Sequence, residues 1–194
     1  ESSVHLFLGY ATAALDLHRQ LEAAHVRVDA AHPLIVYLPC GVGGAPSGLT
    51  FGLKHVFGDA VRCVFVEPVE APCMLVQLAS GASRTVSVYD IGRTNETIQD
   101  GLAVASASLF AAGMIRHLIE GIVTVTDAQS LEWVKRAWEE AGLRLEPSAA
   151  AAMAAVMPWC EANPGFDRAS TTHLVWTTGG GLLPDEVFLP LIAG

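Results

Sequence analysis

Hydrophobic positions along the chain follow two rhythms that alternate. Near the start, Leu6, Tyr10, Ala13, Leu17, Leu21 and Ala24 recur every three or four residues, which predicts one amphipathic helix. At residues 34–38 the rhythm gives way to an unbroken run, Leu-Ile-Val-Tyr-Leu, rich in β-branched and aromatic side chains and predicting a buried strand. Pro39 stops it. Gly41, Gly43, Gly44 and Gly48 follow, and residues 49–57 return to helical spacing. A turn at Gly58-Asp59 leads into a second continuous apolar strand, 60–66, closed by Glu67-Pro68. Residues 72–79 predict a short helix with Pro in its first turn, 85–89 a third strand, and the polar run 93–99 a loop.

The second half continues the pattern. Asp100-Gly101 precedes a small-residue-rich helix predicted over 102–120, and Gly121 turns the chain into a strand at 122–125. Thr126 and Gln129 have the spacing of a capping box. The helix behind them should bury Leu131, Val134, Trp138 and Ala141 and end at Gly142, as helices end on glycine. A short strand at 143–145, an alanine-rich helix at 149–160, a turn at Asn163-Pro164-Gly165 and a strand at 172–177 complete the series. The last strand runs into Thr178-Gly179-Gly180-Gly181. Strands alternating with helices predict an α/β fold: one domain over 1–194, with an open, largely parallel sheet flanked by helices on both faces. In such sheets ligands sit at the carboxyl ends of the strands. Both glycine clusters, Glu67 and Asp127 fall there.

Composition sharpens this picture. Hydrophobic residues make up 52% of the 194 and mean hydropathy is +0.41, high values that strands buried on both faces account for. No run of about eighteen uninterrupted apolar residues predicts a membrane span. The net charge of −9, with eleven Lys and Arg and no basic cluster, speaks against nucleic acid as a partner. Cys40, Cys63, Cys73 and Cys160 form no CxxC and read as free, mostly buried thiols in a reducing cytoplasm. The opening residues lack the pattern of a signal peptide, and the chain does not begin with Met.

The stretch around which the rest is organised is 34–48. Strand, glycine-rich loop and helix in succession is how bare backbone N–H groups and a helix N-terminus converge on an anion such as phosphate. The motif is neither a dinucleotide fingerprint nor a P-loop, because the third glycine and the Gly-Lys-Ser/Thr are missing. A plain glycine-rich turn is the alternative. The seven histidines form no H-x-x-x-H pair, no Gly-x-Ser-x-Gly elbow occurs, and Cys40 beside the loop is either a thiol activated by backbone dipoles or a packed, inert one.

Beyond these general patterns the chain resembles the C-terminal part of the D-serine dehydratase family, pyridoxal-phosphate enzymes of the tryptophan-synthase-β fold type (fold type II). The resemblance rests on Leu6-Phe-Leu-Gly-Tyr10, His32 to Gly44, Phe51-Gly-Leu-Lys54, Glu67-Pro68 with Pro72-Cys-Met74, Asp100 to Val104, Leu145-Glu-Pro-Ser148 and Thr172 to Gly181. It implies that Gly41, Val42, Gly43 and Gly44 hold the cofactor phosphate, with Ala45 standing where the family commonly has another glycine. It also implies that Thr178 faces the pyridine nitrogen, that Gly101 lies against the ring, and that Glu67 is a ligand for a monovalent or divalent cation unless it merely caps or pairs. The family's Schiff-base lysine belongs to a Ser-x-Lys motif absent here. The two lysines, Lys54 and Lys135, look like solvated helix residues, so no catalytic residue is assigned in this chain.

Two function classes follow. One is a pyridoxal-phosphate-dependent dehydration and deamination of D-serine to pyruvate and ammonia, or of another hydroxy-amino acid, with the lysine supplied by a missing N-terminal half. The other is a catalytically silent module that binds a phosphate-bearing ligand or a partner.

Overall fold

A computed structural model describes residues 3–166, 169–181 and 183–193. Four strands form one sheet in the order β3-β2-β1-β4: β1 Leu34–Pro39, β2 Val61–Pro68, β3 Ile119–Val125 and β4 Thr172–Val175. Every neighbouring pair is parallel. Leu38 stands opposite Phe65, and Tyr37 opposite both Val64 and Val175. The long connections are helical, as parallel pairing requires. They are α1 Val4–Ala11, α2 Ala13–Ala23, α3 Gly44–Phe57, α4 Cys73–Ser80, α5 Leu109–Ile115, α6 Asp127–Ala141, α7 Pro147–Ala154, α8 Val156–Ala162 and α9 Asp185–Ile192.

The apolar runs explain the layering. Alternate residues of β1 point to opposite faces, and every one of them is buried. Leu34, Val36 and Leu38 join Cys63 and Phe65 of β2 beneath Leu49 and Leu53 of α3 and Leu17 and Leu21 of α2. Ile35 and Tyr37 join Val64 and Val66 against Ala151, Ala152 and Trp159 on the other face. The expected doubly covered parallel sheet is therefore the one found. The alanines of α7 keep that helix thin, so it lies close over the sheet.

Several local expectations are corrected. The N-terminal helix is two: Thr12 separates α1 from α2, its hydroxyl turned back onto the Gly9 carbonyl at 2.7 Å. α1 lies directly on α3, where a Cβ at Gly48 or Gly52 would sit 2.4 Å from the Phe7 carbonyl or 2.2 Å from that of Ala11. Gly48 thus serves helix packing, not the loop. Residues 85–89 make one antiparallel bridge, Ser87 to Ser106, and then a 3₁₀ turn, Val88–Ile91, capped by Ser87 and Asp90. The helix expected over 102–120 is confined to α5. Its first residues are drawn away because the Ser108 N–H donates to Val42 O at 2.9 Å and the Val88 N–H to Ala105 O. The residues after Ile115 turn into β3. No strand forms at 143–145, and the 149–160 helix divides at Ala155 into α7 and α8. The Thr126–Gln129 capping box and the left-handed Gly142 are present. The buried face of α6 is Ser130, Val134 and Ala137, while Trp138 stays 40% exposed, edge-on to Phe188 of α9. Among the described residues no helix is long and apolar enough to cross a membrane.

Candidate functional site

The glycine loop begins where β1 ends. The Cys40 N–H still pairs with Val66 O at 2.8 Å; beyond it the N–H groups of Gly41, Val42, Gly43, Gly44 and Ala45 find no partner among the described residues. Gly43, at φ 100° in the left-handed region, caps α3 and turns these donors toward one side. Glycine is needed there for its backbone angle. A Cβ would also stand 2.2 Å from Met74 Cε. Pro46, the third residue of α3, lacks an N–H where the helix would leave one unbonded in any case. Ala45 lies already inside α3, in a geometry its methyl group accepts, and so keeps its donor.

The loop is held from behind. Val42 O accepts the Ser108 N–H, and Gly41 O accepts the Cys73 thiol at 3.2 Å. Cys73 opens α4, and the fully buried Glu67 at the end of β2 caps that helix, taking the N–H groups of Met74 at 2.7 Å and Leu75 at 2.9 Å. Burial pushes the Glu67 carboxyl up to about 7, and its two N–H bonds offset only part of that rise. Both oxygens of the proposed cation ligand are therefore engaged in capping. No cluster of three His, Cys, Asp or Glu able to hold a metal forms among the described residues. Cys40 and Cys73 are both pushed well above the usual thiol range, first by burial and then by Glu67. The activated reading of Cys40 is overturned. All four cysteines are free.

A cavity of about 240 Å³ opens in front of the loop. Gly41, Val42, Gly43 and Gly44 line one side, and Gly101 and Thr178 line it as well, so the six residues singled out in the sequence come together. Gly101 approaches the loop closely, since a Cβ on Gly41 would lie 3.1 Å from Gly101 O. The Gly101 N–H is fixed by Ser148 Oγ at 3.0 Å. Thr178 follows β4 at the opposite wall. There Gly180, at φ 134°, packs so tightly that a Cβ would stand 2.4 Å from Leu145 Cα and 2.5 Å from Arg144 O.

Two titratable lining residues escaped the sequence reading as site residues, Tyr10 and Glu146. Both sit inside the quoted motifs, Leu6 to Tyr10 and Leu145 to Ser148, so the signal was present without a role attached. Lys54 and Lys135 do not line the cavity, and Lys54 Nζ donates to Val61 O at 2.8 Å. Asp127 is likewise outside it; its carboxylate takes the Thr97 hydroxyl, the Ile98 N–H and the Gln99 amide. A larger cavity, about 450 Å³, lies between α8 and β4 beside Trp159 and His173 and contains none of the six.

These features suit pyridoxal phosphate. The unpartnered donors of the loop can hold a phosphate without a cation, which the cavity lining does not provide. Thr178 offers the opposite end a neutral hydroxyl.

The family model for pyridoxal-phosphate-dependent enzymes matches residues 2–175. A protein of Sinorhizobium medicae named probable D-serine dehydratase is 50% identical, over 97% of this chain and 45% of its own length. One of the same name from Chromobacterium violaceum is 49% identical, over 95% and 43%. The chain thus spans less than half the length of these curated relatives. A fungal L-serine ammonia-lyase from Rhizomucor miehei superposes with a TM-score of 0.74 at 20% identity, covering 98% of this chain and 57% of that one, which shows the shared fold.

Proposed function

The chain belongs to the family of pyridoxal-phosphate-dependent enzymes, and on that premise we propose that the whole protein eliminates water from D-serine and, as water adds back to hydrolyse the resulting imine, releases pyruvate and ammonia. The residues 41–45 would receive the cofactor phosphate on their N–H groups, Thr178 would face the ring nitrogen, and the backbone at Gly101 would lie against the ring. When bound, the cofactor supplies an electron-withdrawing ring that stabilises negative charge at the carbon losing its proton. Thr178 can accept or donate a hydrogen bond but carries no charge, so it does not enforce a positively charged ring nitrogen, a setting that suits elimination over transamination.

The observation that supports this most is the convergence of five unpartnered N–H groups with Gly101 and Thr178 on one cavity. The substrate assignment is carried by the names of the relatives; another hydroxy-amino acid remains the alternative substrate. Because neither lysine reaches the cavity, the amine that anchors the cofactor belongs to sequence beyond these 194 residues, and these residues alone bind without turnover. Glu67 is assigned the capping role, with any cation held elsewhere. Free buried thiols fit a cytoplasmic protein.

The test is borohydride reduction of the full-length protein loaded with pyridoxal phosphate, followed by peptide mapping, beside a pyruvate assay with D-serine. We expect one reduced lysine outside the present residues and pyruvate release. An adduct on Lys54 or Lys135, or no pyruvate from any hydroxy-amino acid, overturns the proposal.

A further inference from the structure

Each carbonyl of the glycine loop shares a planar, trans peptide unit with the N–H of the next residue, and the two point in opposite directions. A donor that holds the carbonyl therefore fixes where that N–H points. Three successive carbonyls of the loop are held in this way. Val42 O takes the Ser108 N–H at 2.9 Å, which orients the N–H of Gly43. Gly43 O takes the Ser47 N–H at 3.1 Å, which orients the N–H of Gly44. Both of these donors are backbone groups. The third is a side chain: Gly41 O, whose peptide unit carries the Val42 N–H, takes the Cys73 thiol at 3.2 Å. Cys40 Sγ reaches the same oxygen at 3.5 Å, but Cys40 is joined to Gly41 and moves with it, whereas Cys73 ties the loop to another element.

That element is itself well fixed. Cys73 is fully buried and is the first residue of α4. The Glu67 carboxyl, which also neighbours the thiol, already takes the N–H groups of Met74 and Leu75 and so secures the turn on which Cys73 rides. Only the S–H form can donate, and burial, then Glu67, keep this thiol protonated.

We propose that Cys73 is a positioning residue for the cofactor phosphate, acting through the Gly41–Val42 peptide unit: its thiol holds the Gly41 carbonyl back so that the Val42 N–H faces the phosphate. This rests on the reading that residues 41–45 receive the phosphate. A donor already oriented before its ligand arrives loses no affinity to ordering. Without the thiol, the Gly41 carbonyl loses its donor from α4. Glycine tolerates most backbone angles, so the peptide unit is then free to turn and carry the Val42 N–H away.

The experiment uses the full-length protein labelled at its valine and glycine amides and titrated with inorganic phosphate, with affinity for pyridoxal phosphate measured alongside. In wild type, phosphate should move the signals of Val42, Gly43 and Gly44 together. Cys73→Ala should bind pyridoxal phosphate about three- to tenfold more weakly, the worth of one hydrogen bond. In that variant the Val42 response should shrink while Gly43 and Gly44, held by backbone donors, still respond. Cys73→Ser, which keeps a donor, should restore the Val42 response and bring affinity to within about twofold of wild type. If Cys73→Ala binds as wild type does, if its three amide responses shrink alike, or if Cys73→Ser is as weak as Cys73→Ala, the inference is wrong and the proposed function stands. If phosphate moves none of the three signals in wild type, the proposed function fails first and takes this inference with it.

Discussion

The two glycine clusters look alike on paper and differ in what they do. After β1, the glycines leave backbone donors open: five successive N–H groups face a cavity without partners. After β4, Gly179 and Gly180 close space, while a Cβ on Gly181 would meet nothing within 4 Å. Gly180 lets the chain press against the backbone of residues 144–146, and Gly179 leaves room for the Glu146 carboxyl. One cluster lines a cavity with open backbone donors, and the other is a packing joint next to Thr178. The N–H groups of Gly179, Gly180 and Gly181 also lack a partner among the described residues, so what separates the clusters is what lies beside them: a cavity lined by residues 41–45 in one case, the backbone of 144–146 in the other.

Substitutions can break or sharpen that contrast. The largest effect is expected at Gly180→Ala, where the methyl group meets backbone atoms that cannot yield and the residue keeps a left-handed φ. A loss of 3 kcal/mol or more, about the upper range for single substitutions, should appear as a lower denaturant midpoint. If stability holds and only cofactor affinity falls, the second cluster is not a packing joint.

Next comes the pH dependence from Glu67, the cap behind the first cluster. Its folded pKa, about 7, lies above the ordinary 4.5. The folded state therefore binds the proton more tightly than the unfolded one. Stability from this group is complete below about pH 4.5 and declines as pH rises toward 7, by on the order of 3 kcal/mol for a shift of this size. Unfolding curves at several pH values should show the decline, and Glu67→Gln should flatten it.

Gly43→Ala should cost about 1–3 kcal/mol of strain, with a side chain, Met74, as the obstacle. Its distinguishing result is a cofactor affinity reduced by at least about tenfold beyond what the stability loss explains. The smallest effect is expected at Ala45→Gly: below about 1 kcal/mol of stability, from flexibility added to the first turn of α3, with cofactor affinity nearly unchanged because the N–H is already in place.

Much of this was legible in the sequence, for identifiable reasons. β1 and β2 announce themselves because strands buried on both faces read as continuous apolar runs. The capping box at Thr126 and the glycine at 142 carry their geometry in their chemistry. What misled was segment 102–120, whose small residues have helical character. Whether Ser108 bonds along a helix or across to Val42 is decided by the glycine loop, which local spacing does not report. The same holds for Thr12, where the break in the first helix answers to Gly48 and Gly52 of α3. At the site, the glycine loop was visible by itself. The pairing with Gly101 and Thr178 needed the family resemblance, because those positions are brought together by topology. Glu146 was missed since a glutamate before a helix ordinarily reads as a cap or a solvated charge.

The central claim is that the N–H groups of residues 41–45 hold a phosphate while those near Gly179–Gly181 do not. Amide spectra of the protein labelled at glycine, titrated with pyridoxal phosphate and then with inorganic phosphate alone, test it directly. The account predicts that inorganic phosphate moves the signals of Gly41, Gly43 and Gly44 and leaves Gly180 and Gly181 in place, and that pyridoxal phosphate adds Gly101. Phosphate-induced shifts at Gly180 and Gly181 with none at Gly43 and Gly44 would contradict it.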